Sequence, residues 1–394
     1  MGVTHVLARL AVHATHVLLV EAPDGWRARV AAEQVIAERG WRICLAPADA
    51  DVLVLCGTPG QELTVAVDQV WEQLPGPRVR VDIPSPQDAV SRLEEARRRL
   101  MAVDAHAEDA RTRAQTPRGA EHADMDMGDM HHGDMHHGDM DHDNKDHGDM
   151  AGMDHSGMDH SGMNHGDMDM GGMDMAPGGI PLAGGADDRD GLEMDELTVQ
   201  LGPVLPYWPP GVVLHCTLNG DVLTRAEVRV LDAAAPAAVN TGTREAAARR
   251  CDDVAALLAL AGASDLAADA RRLRNALLAD DSARNASDLD RLERRIHRAP
   301  LLRWSLGRVR VVRDPALADG LSVGPGESVF DRLLAMVSTI RDMLNDSVNG
   351  KRDVAQLVAA VPGLVTGLDL AVARLVVASL GIPSAAAAAR VTDG

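Results

Sequence analysis

Residues 51–83 read DVLVLCGTPGQELTVAVDQVWEQLPGPRVRVDI, and this stretch decides the fold of the first part of the chain. Its two ends, DVLVLC (51–56) and VRVDI (Val79–Ile83), are short apolar runs bounded by Gly and Pro, the pattern of buried strands. Between them Leu63, Val67, Val70, Trp71 and Leu74 recur at helical spacing, which predicts a helix over 62–74. A strand, a helix and a strand with no tight hairpin turn between them imply parallel pairing, with the helix as the crossover.

Working upstream, HVLLVE (His16–Glu21) predicts another buried strand. A helix follows over 26–39 with Val30, Val35 and Ile36 inward, then a strand over 41–45. Downstream, a charged helix containing SRLEEARRRL runs over 86–113. The expectation is a small α/β domain of the flavodoxin-like kind over residues 1–115. Gly57-Thr58-Pro59-Gly60 follows a strand but matches neither GxxxxGK[ST] nor GxGxxG, so it reads as a strand-end turn rather than a phosphate loop.

A chain of 394 residues has length for two folded domains and more. Phe330 and Tyr207 are the only residues of their kinds and there are five Trp, so the cores must be built from Ala, Val and Leu. The formal net charge of −20 argues against nucleic acid as a partner, because phosphate binding needs a basic face. Most of that charge is local: residues 122–175 hold 14 Asp and one Lys. Cys44, Cys56, Cys216 and Cys251 are scattered, with no short spacing that would suggest a disulfide framework or a zinc site. Cys44 and Cys56 fall in expected strands and read as small apolar core residues. The first residues carry no export-signal pattern. The apolar stretch 357–382 is interrupted by Asp369, Arg374 and Pro362, which predicts a buried helix pair and no membrane span. These features together imply a cytoplasmic protein.

Over 116–185 the apolar periodicity stops. Here the chain repeats units such as HGDM and MDHSG, with Gly in nearly every copy. Such a composition cannot bury enough surface to offset its ordering entropy, so the expectation is a disordered Met/His/Asp/Gly-rich linker. Its ligands would be Met125, Met127, Met130, His131, His132, Met135, His136, His137, Met140, His142, His147, Met150, Met153, His155, Met158, His160, Met163, His165, Met168, Met170, Met173 and Met175. Thirteen of the chain's 18 Met and ten of its 16 His lie between residues 122 and 175. Thioether sulfur is a soft, neutral donor suited to Cu(I) or Ag(I), and imidazole adds affinity for Cu(II) or Ni(II). Interleaved at this spacing, the two donors offer several ligands to one ion. Repeat expansion accounts for the repetition but not for the choice of Met and His. The favoured metal is copper as Cu(I), and catalytic use is not expected, since an unordered site fixes no open coordination position.

The remaining part, 186–394, predicts strands over 198–201 and 212–218, a turn at Asn219-Gly220-Asp221 and a partner strand over 222–231. Helical patterns follow over 245–261, 265–278, 287–297 and 329–345, with two more reaching Leu380. The expectation is an α+β domain, a β-hairpin followed by a helical bundle. Glu94-Glu95 and Asp280-Asp281 read as solvated charge, and Asp187-Asp188-Arg189-Asp190 as a polar lead into this part. His215 and Cys216 would point to opposite sheet faces and so form no metal pair.

Two folded stretches carry a resemblance. ADVLVLCGTPGQELTVAVDQVWEQLPGPR (50–78) is similar to the 20 kDa iron–sulfur subunit of NADH–quinone oxidoreductase and to [NiFe]-hydrogenase small subunits, in Gly57-Thr58, the helix after it and Leu74-Pro75-Gly76-Pro77-Arg78. LTVQLGPVLPYWPPGVVLHCTLNGDVLTRAEVRVL (197–231) resembles the N-terminal hairpin of the partner 49 kDa, or hydrogenase large, subunit in Leu201-Gly202-Pro203, Pro206, Gly211 and Gly220-Asp221. The departures are specific. Where the small subunit places a ligand Cys, this chain has Pro84-Ser85-Pro86. The adjacent Cys pair and the late Cys-Pro ligand are also missing. Leu205 and Pro210 stand where the large-subunit family has His near the quinone.

The resemblance therefore implies a degenerate fusion of the two subunits without an iron–sulfur cluster of its own. The leading functional expectation is a non-catalytic, copper-binding accessory or metal-handling protein, working beside complex I-like or hydrogenase-like subunits. The alternatives are an oxidoreductase component completed by partner subunits, and an interaction scaffold.

Overall fold

A computed structural model describes residues 14–115, 184–187, 193–232, 242–279, 282–312, 323–324, 326–345 and 354–382. The expected linker, all but its last two residues, lies outside this set, as do Asp188-Arg189-Asp190 and Asp280-Asp281.

The first part is a parallel sheet with helices. Strands β1 (His16–Glu21), β2 (Arg42–Ile43), β3 (Val52–Cys56) and β4 (Val79–Ile83) pair in the order β2-β1-β3-β4. Helix α1 (Trp26–Glu38) connects β1 to β2, and α2 (Gln61–Gln73) connects β3 to β4. Alternation along the central strands sends side chains to two covered faces. On one face Val17, Val54, Cys56 and Ile83 pack with Ala28 and Ile36 of α1 and Leu93 of α3 (Ala89–Leu100). On the other Leu18, Val20, Leu53 and Leu55 pack with Leu63 and Val67 of α2. Covering both faces is why β3 reads as an unbroken apolar run.

Some boundaries differ from expectation for visible reasons. β2 is two residues long because Pro47 opens a 3-10 turn (Pro47–Asp49) and Leu45 already faces solvent. The charged helix is broken into α3 and α4 (Val103–Gln115). The break follows Leu100, the last of the buried positions Ala89, Leu93, Ala96 and Leu100 that hold α3 against the sheet.

The second part holds an antiparallel sheet and helices. β5 (Gly184–Asp187), β6 (Glu193–Leu201), β7 (Val212–Asn219) and β8 (Val222–Val230) pair in chain order, so the expected hairpin is the far half of a four-stranded sheet. The sequence Gly-Gly-Ala-Asp of β5 carries no strand pattern of its own. The helices are α5 (Thr243–Leu260), α6 (Ser264–Leu278), α7 (Ser282–His297), α8 (Pro300–Leu306), α9 (Val329–Leu344), α10 (Val354–Val365) and α11 (Leu370–Leu380). Helix α8 was not expected: it buries only Leu302 and Leu306 and leaves Leu301 and Trp304 exposed, too little for a period to show. The apolar stretch 357–382 forms α10 and α11, with the Asp369 carboxylate accepting from the Val372 N–H at 2.8 Å to cap α11. Among the described residues no helix is long and apolar enough to cross a membrane.

The two parts pack as one compact unit. Trp26 and Val30 of α1 belong to the same apolar core as Leu214 of β7, Leu257 of α5, Leu273 of α6 and Val377 of α11. A second tie lies at the start of α2. There the Asp232 carboxylate accepts from the backbone N–H groups of Glu62 (3.0 Å) and Leu63 (2.9 Å). In return the Glu62 carboxylate accepts from the Asp232 N–H at 2.8 Å and pairs with Arg229. This is a reciprocal helix cap whose two members are 170 positions apart in sequence. It also suits the helix dipole, which favours a carboxylate at its N-terminus. Asp232→Ala is expected to lower stability by about 1–2 kcal/mol. Asp232→Asn is expected to lose less, because its one carbonyl oxygen still accepts; urea unfolding of the three proteins checks the order.

Candidate functional site

The metal-ligand candidates from Met125 to Met175 lie outside the described residues. Among the described residues no group of three or more His, Cys, Asp or Glu side chains is arranged to hold a metal ion. His215 is exposed and Cys216 buried, as strand alternation requires, so they are not a pair.

The four thiols are free and buried. Cys44 packs on the α2 side of the first sheet, Cys56 on the α1 side, and Cys216 and Cys251 in the core of the second part. Burial pushes the Cys44 and Cys216 thiols up to about 11 and drives Cys56 and Cys251 further in the same direction. Metal and cluster ligation uses the thiolate, and burial in apolar surroundings opposes that form. These cysteines therefore do not fit an iron–sulfur cluster.

Where the parallel sheet meets the second part lies a cavity of about 360 Å³. The end of β1 and α1 supply one wall, and α5, α6 and α11 supply others. The proline-rich segment between β6 and β7, Pro203-Val204-Leu205-Pro206-Tyr207-Trp208-Pro209-Pro210, closes it. That segment is held in an unusual shape. Gly202 has φ +82° against the Val212 carbonyl and the Trp208 ring, and the Trp208 indole N–H donates to the Val212 carbonyl at 2.8 Å. Tyr207 adopts φ 60°, a left-handed conformation uncommon for an aromatic residue.

A charged cluster forms part of the cavity lining. Arg29 of α1 pairs with Glu21, Glu33 and Asp252. Arg274 of α6, only 1 % exposed, pairs with Asp252 and, at 2.8 Å, with Glu33. The Trp26 indole N–H donates to Asp252 at 3.0 Å, and Arg249 lies over the Trp26 ring, 4.2 Å from its centroid. The cluster holds three carboxylates against two guanidinium groups, and the carboxylates respond differently. Burial raises Glu21 above the ordinary carboxylate value despite Arg29. Burial also acts to raise Asp252, but Arg29 and Arg274 outweigh it and hold that carboxyl well below the usual range.

Comparison of the chain with protein-family models, with curated proteins and with solved structures gave no match. The cavity residues carried no motif in the sequence. Arg29, Glu33, Asp252 and Arg274 sit in helices rich in charge, where a buried cation looks the same as a solvated one. Tyr207 offered the only signal, as the chain's sole tyrosine within a proline-rich turn.

The opposite shifts give a pair of tests. Asp252→Asn leaves both arginines short of a counter-charge and is expected to cost about 3 kcal/mol at pH 7, as breaking a largely buried pair does. Glu21→Gln is expected to be much milder there, because an ionised Glu21 is itself disfavoured in the folded protein. The pH signs differ too. Asp252, lowered on folding, contributes stability above pH ~4 that is lost as pH falls. Glu21, raised on folding, makes the wild type more stable as pH drops from that raised value towards ~4.5, a gain that Glu21→Gln lacks. Urea unfolding from pH 2 to 8 reads both, the Asp252 loss below pH ~4 and the Glu21 gain above it.

Proposed function

We propose that this protein binds copper through residues 121–175 and acts as a metal-handling or accessory protein, with no iron–sulfur cluster of its own. The observation that carries the reading is the donor set: thirteen Met and ten His interleaved with Asp over residues 122–175. Soft thioethers beside imidazoles favour Cu(I), while Asp lends negative potential that attracts the cation. The buried, neutral thiols of the folded parts support the second half of the reading, since they are unsuited to hold a cluster.

The same reading describes the folded parts as a degenerate fusion of complex I-like or hydrogenase-like small and large subunits. The strand order β2-β1-β3-β4 is consistent with a flavodoxin-like first part. The packing of that part against the hairpin-bearing second part is what a fusion of two facing subunits requires. The partners would be metal ions and subunits of a related oxidoreductase.

Competition with a chromophoric Cu(I) chelator, under reducing conditions, tests the metal claim. The full chain is expected to withdraw several equivalents of Cu(I), and a variant lacking 121–175 to withdraw none. Replacing all four Cys by Ser is expected to leave uptake unchanged. Copper retained by the deletion variant, or none taken by the full chain, overturns the tract as the site. Stoichiometric iron with cluster absorbance in anaerobically purified protein overturns the cluster-free description.

A further inference from the structure

The cavity at the junction has two chemically distinct ends. At the Glu21–Asp252 end every carboxylate is matched to Arg29 or Arg274. At the Tyr207 end the cations are not matched. Arg271 of α6 donates to the Tyr207 hydroxyl at 3.2 Å, and Arg374 of α11 donates to the Pro206 carbonyl at 2.9 Å. Among the described residues neither guanidinium has a carboxylate within 4.0 Å. Both are partly buried, and burial pushes Arg374 below its ordinary value. A desolvated cation without a counter-charge is costly and is ordinarily paired. Arg374 is such a cation, and it lies with the partly buried Arg271 beside one phenol; Arg271 and Tyr207 themselves line the cavity.

The hydrogen-bond inventory at this end is specific. A phenol has one proton to donate and lone pairs to accept. Its oxygen already accepts from Arg271, so the proton remains for a ligand atom. Arg271 has four further N–H donors. Both therefore present donors to the cavity, suited to an oxygen anion. Val204, Leu205, Val377 and Ile382 line the same cavity with apolar surface. A volume of about 360 Å³ lies at the lower end of the range for small-molecule sites.

We propose that this cavity binds a small organic carboxylate with an apolar body, its head held by Arg271 and the Tyr207 hydroxyl and its body against Val204, Leu205, Val377 and Ile382. The site is separate from the metal tract, and its occupancy does not depend on copper. Arg374, behind Pro206, adds to the positive potential and fixes the segment that presents Tyr207.

The test uses the full chain and 8-anilino-1-naphthalenesulfonate as a fluorescent apolar anion, displaced by decanoate or by decanol. Saturable binding and displacement by decanoate, with decanol at least tenfold weaker, is the expected result. Arg271→Gln is expected to weaken decanoate by about tenfold or more while leaving decanol unchanged, since a charge-assisted hydrogen bond is lost. Near-UV circular dichroism confirms that each variant keeps its packing. Should Arg271→Gln not fold, Tyr207→Phe removes only the hydroxyl and is expected to weaken decanoate about fivefold. Equal displacement by decanol and decanoate, which is how a neutral-ligand site would behave, overturns the proposal. So does undiminished decanoate binding by the folded variant, or no saturable binding at all.

Discussion

The pairing of Arg29 and Arg274 with Asp252 and Glu33 fixes how the two parts of this chain meet. Arg29 and Glu33 come from the first helix of the parallel sheet, Asp252 and Arg274 from two helices of the second part. Apolar packing alone is tolerant of a helix sliding by a turn, because Ala and Val fit many registers. Ion pairs in a largely buried junction are not tolerant, since a shifted register would leave a charge buried without a partner. Trp26 lies on the boundary and serves both, its ring in the apolar core and its N–H on Asp252. The cluster's stabilising effect is modest once desolvation is counted; its specifying effect on the position of α1 is large.

From that constraint the cavity follows. With α1 fixed against α5 and α6, the end of β1 faces the proline-rich turn between β6 and β7, and a gap remains that none of the described side chains fills. The Asp232–Glu62 cap ties the start of α2, which follows β3, to the residue pair after β8. Two separate attachments, one electrostatic and one made of helix-cap hydrogen bonds, prevent rotation about either. A cavity held open by rigid elements on several sides keeps its shape without a ligand, and a preformed site loses little free energy to ordering on binding.

The secondary structure was legible where burial was one-sided or complete. β1, β3 and β4 announce themselves as apolar runs, and α1, α2, α5, α6 and α9 as 3.6-residue periods. The elements that escaped are those whose formation depends on neighbours. β5 has two glycines and exists by pairing with β6, and α8 is too short to show a period. The junction was illegible for a different reason. A buried Arg in a charged helix has the same letter as a solvated one, and only the fold decides which of Arg272 and Arg274 is inside. Asp232 likewise reads as a turn residue after β8, although its carboxylate caps a helix from the other end of the chain.

The distribution of chemistry along the chain has a physical logic. A folded core of Ala, Val and Leu with few aromatics excludes water well and is a poor place for thiolates, as the raised cysteines show. Soft metal ligation in such a protein is best met by donors that need no deprotonation, and thioethers meet that condition wherever they are placed. In the proposed copper reading, concentrating them in one tract leaves the folded parts free of the geometric demands of a metal site. The folded parts in turn hold most of their buried charges in mutual pairs. Arg271 and Arg374 depart from that rule: both lie near the same tyrosine, both contact the segment that closes the cavity, and neither has a carboxylate partner among the described residues. Arg271 at the cavity wall and Arg374 behind it both hold the segment that closes the cavity, so the positive charge on that side is set by the fold and suits an anionic ligand.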